Sequence, residues 1–279
     1  MKSHPTILLL LCASTFGLGA LPAETNDPNA IIARRSDMHF ARSAPYATAA
    51  EASRRLGIKP GGKTYALAAE KFQVILPGTF STNVSWGLFV WISPSDTPSI
   101  PAAWEAELAK QQLLFVGAYK SGNQRDAVER ARLAVEAAFN LRQLYKIDPR
   151  RVYVSGFSGG GRVADMVGMG YSDVFTGTIC VCGVGFYTDI PTPTGEHWPR
   201  TFNPDTKLLA QAKQNRRFLL LTGDQDINRD ITHEIWRNGF EREGFQYVRY
   251  LEVPGLKHAL PSAEVLSSAL TFVDGKETQ

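Results

Sequence analysis

The sequence predicts an α/β fold, a mostly parallel central sheet covered by helices on both faces. Three observations carry that expectation. From residue 87 onward, short apolar runs alternate with amphipathic segments, the arrangement that builds parallel strands joined by crossover helices. The run GLFVWI over 87–92 is apolar without alternation, as in a strand buried on both sides. A serine, an aspartate and a histidine each stand just past a strand-like run, and in such sheets the working loops lie beyond the strands' carboxyl ends.

Taken in order, residues 1–23 place Lys2 ahead of an apolar run from Ile7 to Leu21, closed by Ala20-Leu21-Pro22-Ala23. That pattern predicts a signal peptide cleaved after Ala20 or Ala23, and so a secreted or periplasmic protein. The run is too short to cross a bilayer, and no second long one follows, so no stable membrane insertion is expected. Leu11 is too large for a good lipoprotein-processing site at Cys12, which makes lipid anchoring the lesser alternative. Residues 24–62 are polar and alanine-rich and read as an N-terminal extension, with a short helix over 49–56 and a break at Pro60-Gly61-Gly62.

The main domain is expected over 63–279. Strands over 64–69 and 72–76 open the sheet as a hairpin. The strand 87–92 runs into Ser93-Pro94-Ser95-Asp96 and a helix over 102–111, followed by a strand over 113–118. The clearest helix covers 124–146, where Val128, Ala131, Val135, Ala138, Leu141 and Tyr145 recur at helical spacing with charges opposite; Asp148-Pro149 marks its stop. A strand centred on 152–154, a helix to about 169 and a strand over 177–182 come next. Residues 184–204 read as loop. A helix over 208–213, a strand over 218–221, a helix bearing Ile231, Ile235, Trp236 and Phe240, a strand over 246–253 and a helix over 262–273 complete the chain.

The net charge of +3 over 279 residues, with lysines and arginines dispersed, argues against nucleic acid, and those basic residues read mostly as solvated helix faces. Past the leader only Cys180 and Cys182 remain, two apart on one strand face, a geometry unsuited to a disulfide. Buried free thiols are expected, and no metal site.

Gly156-Phe157-Ser158-Gly159-Gly160 joins a strand to a helix. In that setting G-x-S-x-G lifts a serine hydroxyl over the sheet edge, with glycines where the two backbones pass too close for side chains. The lysine and glycine spacing of a phosphate-binding loop are absent. A serine needs a base, commonly an imidazole oriented by a carboxylate. Asp224 and Asp226 follow the strand over 218–221, and His258 follows the last strand, so Ser, Asp and His would meet on one edge. Asp226 is preferred, because a turn at Gly223 lets the later residue reach across; Asp230 fits the first turn of the next helix. His258 would then deprotonate Ser158, and an acyl-enzyme would form and be hydrolysed. The oxyanion would take the N–H of Gly159 and a second donor after GLFVWI, where Pro94 has none to give and Ser95 is the candidate.

At these residues the chain resembles α/β-hydrolase-fold serine esterases, and among them the polyhydroxybutyrate depolymerase-like and feruloyl esterase-like secreted group. The resemblance is carried by LYKIDPRRVYVSGFSGGGRVA (144–164), LLLTGDQD (219–226) and VPGLKH (253–258), within a span from about residue 72 to the end. It implies an α/β-hydrolase catalytic domain over 63–279 acting as a carboxylesterase, with no cofactor and with Ser158, Asp226 and His258 as triad. Little chain is left for a lid, so an open cleft, with Phe157 and Trp198 as candidate substrate-binding walls, would suit small or polymeric esters such as acylated polysaccharide or polyester. A serine peptidase of the same fold and a non-catalytic carbohydrate-binding member stand as alternatives.

Overall fold

The eight-stranded sheet runs in the order β1-β2-β4-β3-β5-β6-β9-β10, and everything from β4 to β10 in that order is parallel. The computed structural model describes residues 33–59, 65–192 and 194–276. The expected leader, Cys12 and the break at 60–62 lie outside the described residues. The described residues form one compact unit.

The edge opens with β1 (Arg34–Met38), which pairs antiparallel with β2 (Phe72–Leu76); β2 pairs antiparallel with β4. Among the described residues 65–69 no strand forms the expected hairpin, and Leu67–Ala69 makes a single 3₁₀ turn instead. The partner of β2 comes from the stretch read as an extension, because β1, with sequence RRSDM, is an almost wholly exposed edge strand and shows no apolar alternation. Helix α1 (Ala49–Leu56) is capped by Thr48, whose hydroxyl accepts from the Glu51 N–H.

In the middle of the sheet, β3 (Trp86–Ile92) is buried at every position, as its unbroken apolar run requires. Burial of such side chains contributes on the order of 1.5–3 kcal/mol each. After β3 come α2 (Ala102–Lys110), β4 (Leu113–Ala118), α3 (Ala127–Leu144), β5 (Ile147–Phe157), α4 (Gly159–Gly170) and β6 (Gly177–Val181). Helix α3 starts later than its periodicity suggests, because Asp126 caps it by accepting from the N–H groups of Val128 and Glu129. Its polar residues are not a solvated face. Glu129, Arg130, Glu136 and Asn140 are buried, and the 42–44 segment covers the helix through bonds from the Ala44 N–H to Glu136 and from Asn140 to the Arg42 carbonyl.

Between β6 and β9 the chain is not plain loop. It forms a small hairpin, β7 (Ile190–Pro191) with β8 (His197–Trp198), and sinks Phe186, Tyr187, Ile190 and Phe202 into the core. Then come α5 (Thr206–Asn215), β9 (Arg217–Gly223), α6 (Arg229–Glu234) continuing as a π-helical turn over Ile235–Glu241, β10 (Tyr247–Val253) and α7 (Ala263–Val273). Helices α1, α3, α4 and α5 cover one face and α2 and α7 the other, each over its own apolar cluster.

Register prepares the site. Phe157 of β5 lies beside Val181 of β6, Val181 beside Leu221 of β9, and Leu221 beside Leu251 of β10. Strands β5 and β6 therefore end level and β9 and β10 run two residues further, so the residues just past all four share one edge.

Candidate active site

Ser158 occupies the single residue between β5 and α4, with φ 55° and ψ −119°, a conformation that costs a non-glycine residue roughly 1–3 kcal/mol. The turn closes that tightly because its neighbours lack side chains: a methyl on Gly156 would strike the Gly160 carbonyl, and one on Gly160 the Ile92 carbonyl. The Ser158 N–H donates to the Val181 carbonyl at 2.8 Å, so the turn is pinned to β6.

Asp226 and His258 arrive on adjacent loops that hydrogen-bond to each other. Asp224 N–H donates to the Val253 carbonyl at 3.2 Å, Gln225 N–H to the Leu256 carbonyl at 3.1 Å, and Gly255 N–H to Asp224 Oδ1 at 2.7 Å. Asp224 thus braces the two loops, and Asp226 reaches the imidazole. His258 Nδ1 lies 2.7 Å from Asp226 Oδ1, and His258 Nε2 lies 3.0 Å from Ser158 Oγ. The structure brings together the three side chains that the sequence picked out.

Charge fixes the proton positions. The Asp226 side chain is wholly buried, which by itself raises its pKa, yet hydrogen bonds from Thr222, His258, the Asn228 N–H and Cys182 outweigh burial and hold it below the ordinary carboxylate value. An ionised Asp226 only accepts, so Nδ1 carries the proton and Nε2 is left to accept from the serine hydroxyl. The Phe157 ring packs on the imidazole, with centroids 4.9 Å apart.

The sequence offered no site role for Thr222 or Asn228, and expected Cys182 only as a buried free thiol. Thr222 Oγ1 donates to Asp226 Oδ2 at 2.7 Å, and Asn228 Nδ2 donates to the Cys182 carbonyl at 2.9 Å. Their one available signal was position, each within two residues of Asp226 or of a strand end or four along the acid loop. Burial, then the nearby Asp226 charge, push the Cys182 thiol up to about 12, so it stays protonated and can donate. Cys182, Asp226 and His258 each offer one atom within 4.8 Å of the others, enough to hold a metal ion. A cation there would displace the Asp226 to His258 bond and require the thiolate. Cys180 and Cys182 are both buried free thiols.

Around the elbow, Gly159 opens α4, where N–H groups lack intrahelical acceptors and no side chain caps them. Ser95 is exposed. Its N–H donates to Ser93 Oγ at 3.1 Å and its hydroxyl to the Thr97 carbonyl at 3.1 Å, so the structure does not present it as a free donor. Trp198 is half-buried on β8 and lines a cleft of about 50 Å³ with Arg162, Phe186, Thr188, Ile231 and Ile235. Arg162 stands one turn along α4 from Ser158, its N–H donating to the Ser158 carbonyl at 3.2 Å.

No known family profile matches the chain, and no curated protein does. Solved structures do. A feruloyl esterase module from Clostridium thermocellum, complexed with sinapinate, superposes with TM-score 0.57 at 14% identity, over 86% of this chain and 96% of that one. An S-formylglutathione hydrolase from Staphylococcus aureus gives 0.57 at 12% identity, over 88% and 98%. A chain described as a dipeptidyl aminopeptidase IV, from Bacteroides ovatus, gives 0.54 at 15% identity over 81% of this chain, which spans only 36% of that larger protein. Strand order, helix placement and these superpositions agree that the chain has the α/β-hydrolase fold, the fold of its feruloyl and carboxylic esterase neighbours.

Proposed function

We propose that the protein is an exported serine carboxylesterase that works through an acyl-enzyme on Ser158. The observation that carries this reading is the continuous chain Ser158 Oγ, His258, Asp226, with separations of 3.0 and 2.7 Å. As Ser158 Oγ attacks the ester carbonyl, its proton passes to His258 Nε2 and the carbonyl electron pair moves onto oxygen. Asp226 steadies the imidazolium. The tetrahedral intermediate collapses, the alcohol leaves with the proton from His258, and water repeats the sequence to free the acid. Gly159 N–H supports the oxyanion, at about 3 kcal/mol for such a donor. Phe157, whose ring packs on the imidazole, and Trp198, in the cleft beside Arg162, are the side chains assigned to the substrate. The feruloyl esterase neighbours support bulky acyl esters, such as those on polysaccharide, as the substrates to try first. The 1–23 leader supports export.

An alkyl fluorophosphonate should label the wild type and leave Ser158→Ala unlabelled. A panel of p-nitrophenyl acyl esters, acetylated xylan, feruloylated sugars and polyester then ranks substrates, and absence of labelling together with inactivity on all four defeats the reading. The overlap with the aminopeptidase chain favours a peptidase as the competing use of the same three residues. Faster cleavage of amides than of matched esters would establish it. Mass measurement of the exported chain reads cleavage after Ala20 or Ala23.

A further inference from the structure

The tetrahedral oxyanion needs a second donor, and the loop after β3 does not supply the one expected. Pro94 has no N–H, Ser95 spends its own on Ser93 Oγ, and the Ser93 carbonyl is turned inward to Arg130. The neighbouring loop, after β4, offers a side chain. A methyl on Gly159 would collide with the carboxamide of Asn123, whose Oδ1 would be the nearest atom and whose Cγ and Nδ2 would stand 2.8 and 3.0 Å from it. The Asn123 amide therefore lies directly against the residue that follows the nucleophile. It is exposed, and among the described residues its side chain has no hydrogen-bond partner.

That placement is anchored. The Asn123 N–H donates to the Pro94 carbonyl at 2.9 Å, tying the two loops together. Beneath them sits Arg130, only 4% exposed and facing no carboxylate. Its Nε donates to the Ser121 carbonyl at 2.8 Å, Nη2 to the Ser93 carbonyl at 2.9 Å and Nη1 to the Gly159 carbonyl at 3.4 Å. One guanidinium thus fixes both loops and the first residue of α4, and burial with only carbonyl acceptors and no carboxylate pulls its pKa down to about 10, still charged near neutrality.

Resting on the esterase reading above, we infer that Asn123 is a catalytic residue whose Nδ2–H is the second donor to the oxyanion, completing the hole begun by the Gly159 N–H. Arg130 is the positioning residue that holds them in register. When the Ser158 Oγ to carbon bond forms, the carbonyl pair moves onto oxygen, and that oxygen accepts from both. The ground-state ester, with less charge on oxygen, gains less, so the effect falls on kcat.

The test compares wild type, Asn123→Ala and Asn123→Asp on p-nitrophenyl butyrate, with fluorophosphonate labelling rates and the affinity of a boronic acid transition-state analogue. Asn123→Ala should lower kcat by about 100-fold or more with KM changed less than about 3-fold, and should weaken the boronate by a similar factor. Asn123→Asp, which replaces a donor with an anion, should be at least as slow. Because the side chain is exposed, both variants should keep the wild-type melting temperature. Asn123→Ala at the full wild-type kcat, in an enzyme that does hydrolyse the ester, overturns this assignment alone. A wild type that neither hydrolyses esters nor takes the label overturns it together with the esterase reading.

Discussion

Thr222 Oγ1 donates to Asp226 Oδ2 at 2.7 Å, the carboxylate oxygen that His258 leaves free. The last residues of β9 thereby orient the acid as well as delivering it. A hydrogen bond to a charged group contributes roughly 1.5–3 kcal/mol, and its loss lets burial push Asp226 upward. Thr222→Val should therefore cost that much stability near neutral pH. It should also move the acid limb of kcat/KM to higher pH, since the carboxylate then protonates sooner as pH falls. Thr222→Ser should restore both. A pH–rate profile alongside urea unfolding reads the two effects, and an unmoved acid limb would reduce Thr222 to packing.

The two aspartates of the acid loop should separate cleanly. Asp226→Asn frees the imidazole to take the wrong tautomer, and kcat should fall by about 10³–10⁴-fold with the fold intact. Asp224→Ala removes only the acceptor for the Gly255 N–H. It should cost about 1 kcal/mol, or some 2–4 °C in Tm, with kcat lowered only a few-fold. Equal kcat losses would show that the assignment between them is wrong.

Asp165 on α4 is fully buried, neither carboxylate oxygen has a hydrogen-bond partner among the described residues, and burial raises its pKa well above the ordinary 3.8. The folded state therefore holds a proton that the unfolded state releases. Stability is fullest below pH 3.8 and declines as pH rises toward the folded value, by about 1.4 kcal/mol per unit from this group. Asp165→Asn removes that slope. Denaturation curves from pH 5 to 9 should show the variant gaining on wild type as pH increases, and parallel curves would contradict it.

Cys182, protonated and with no exposed surface, should resist iodoacetamide in the folded protein. Cys182→Ser, which keeps a donor beside Asp226, should retain activity within about 3-fold. Prompt alkylation with loss of activity at pH 7.5 would show that the thiol is reachable.

The alternation of strand and helix was legible because each element from residue 87 onward covers a packed face and so must carry the matching periodicity. Strand β1 was not, since an exposed edge strand of sequence RRSDM has no buried face to advertise. Ser158, Asp226 and His258 could be found because each follows a strand end, and the parallel topology turns that sequence position into a place. Arg130 could not be found so easily. A charged residue on a long amphipathic helix reads as solvated, and only the loops folded over it reveal that its guanidinium is buried. Asn123 stayed hidden for a related reason: the glycine that makes room for it is 36 residues away, beyond α3 and β5.

Strand β10 is the outermost on its side of the sheet, and His258 lies beyond it. During synthesis, then, the serine leaves the ribosome long before its base does. A nascent chain halted anywhere ahead of residue 258 carries the hydroxyl without any imidazole to activate it, so reactivity is withheld until the final edge of the sheet has been made.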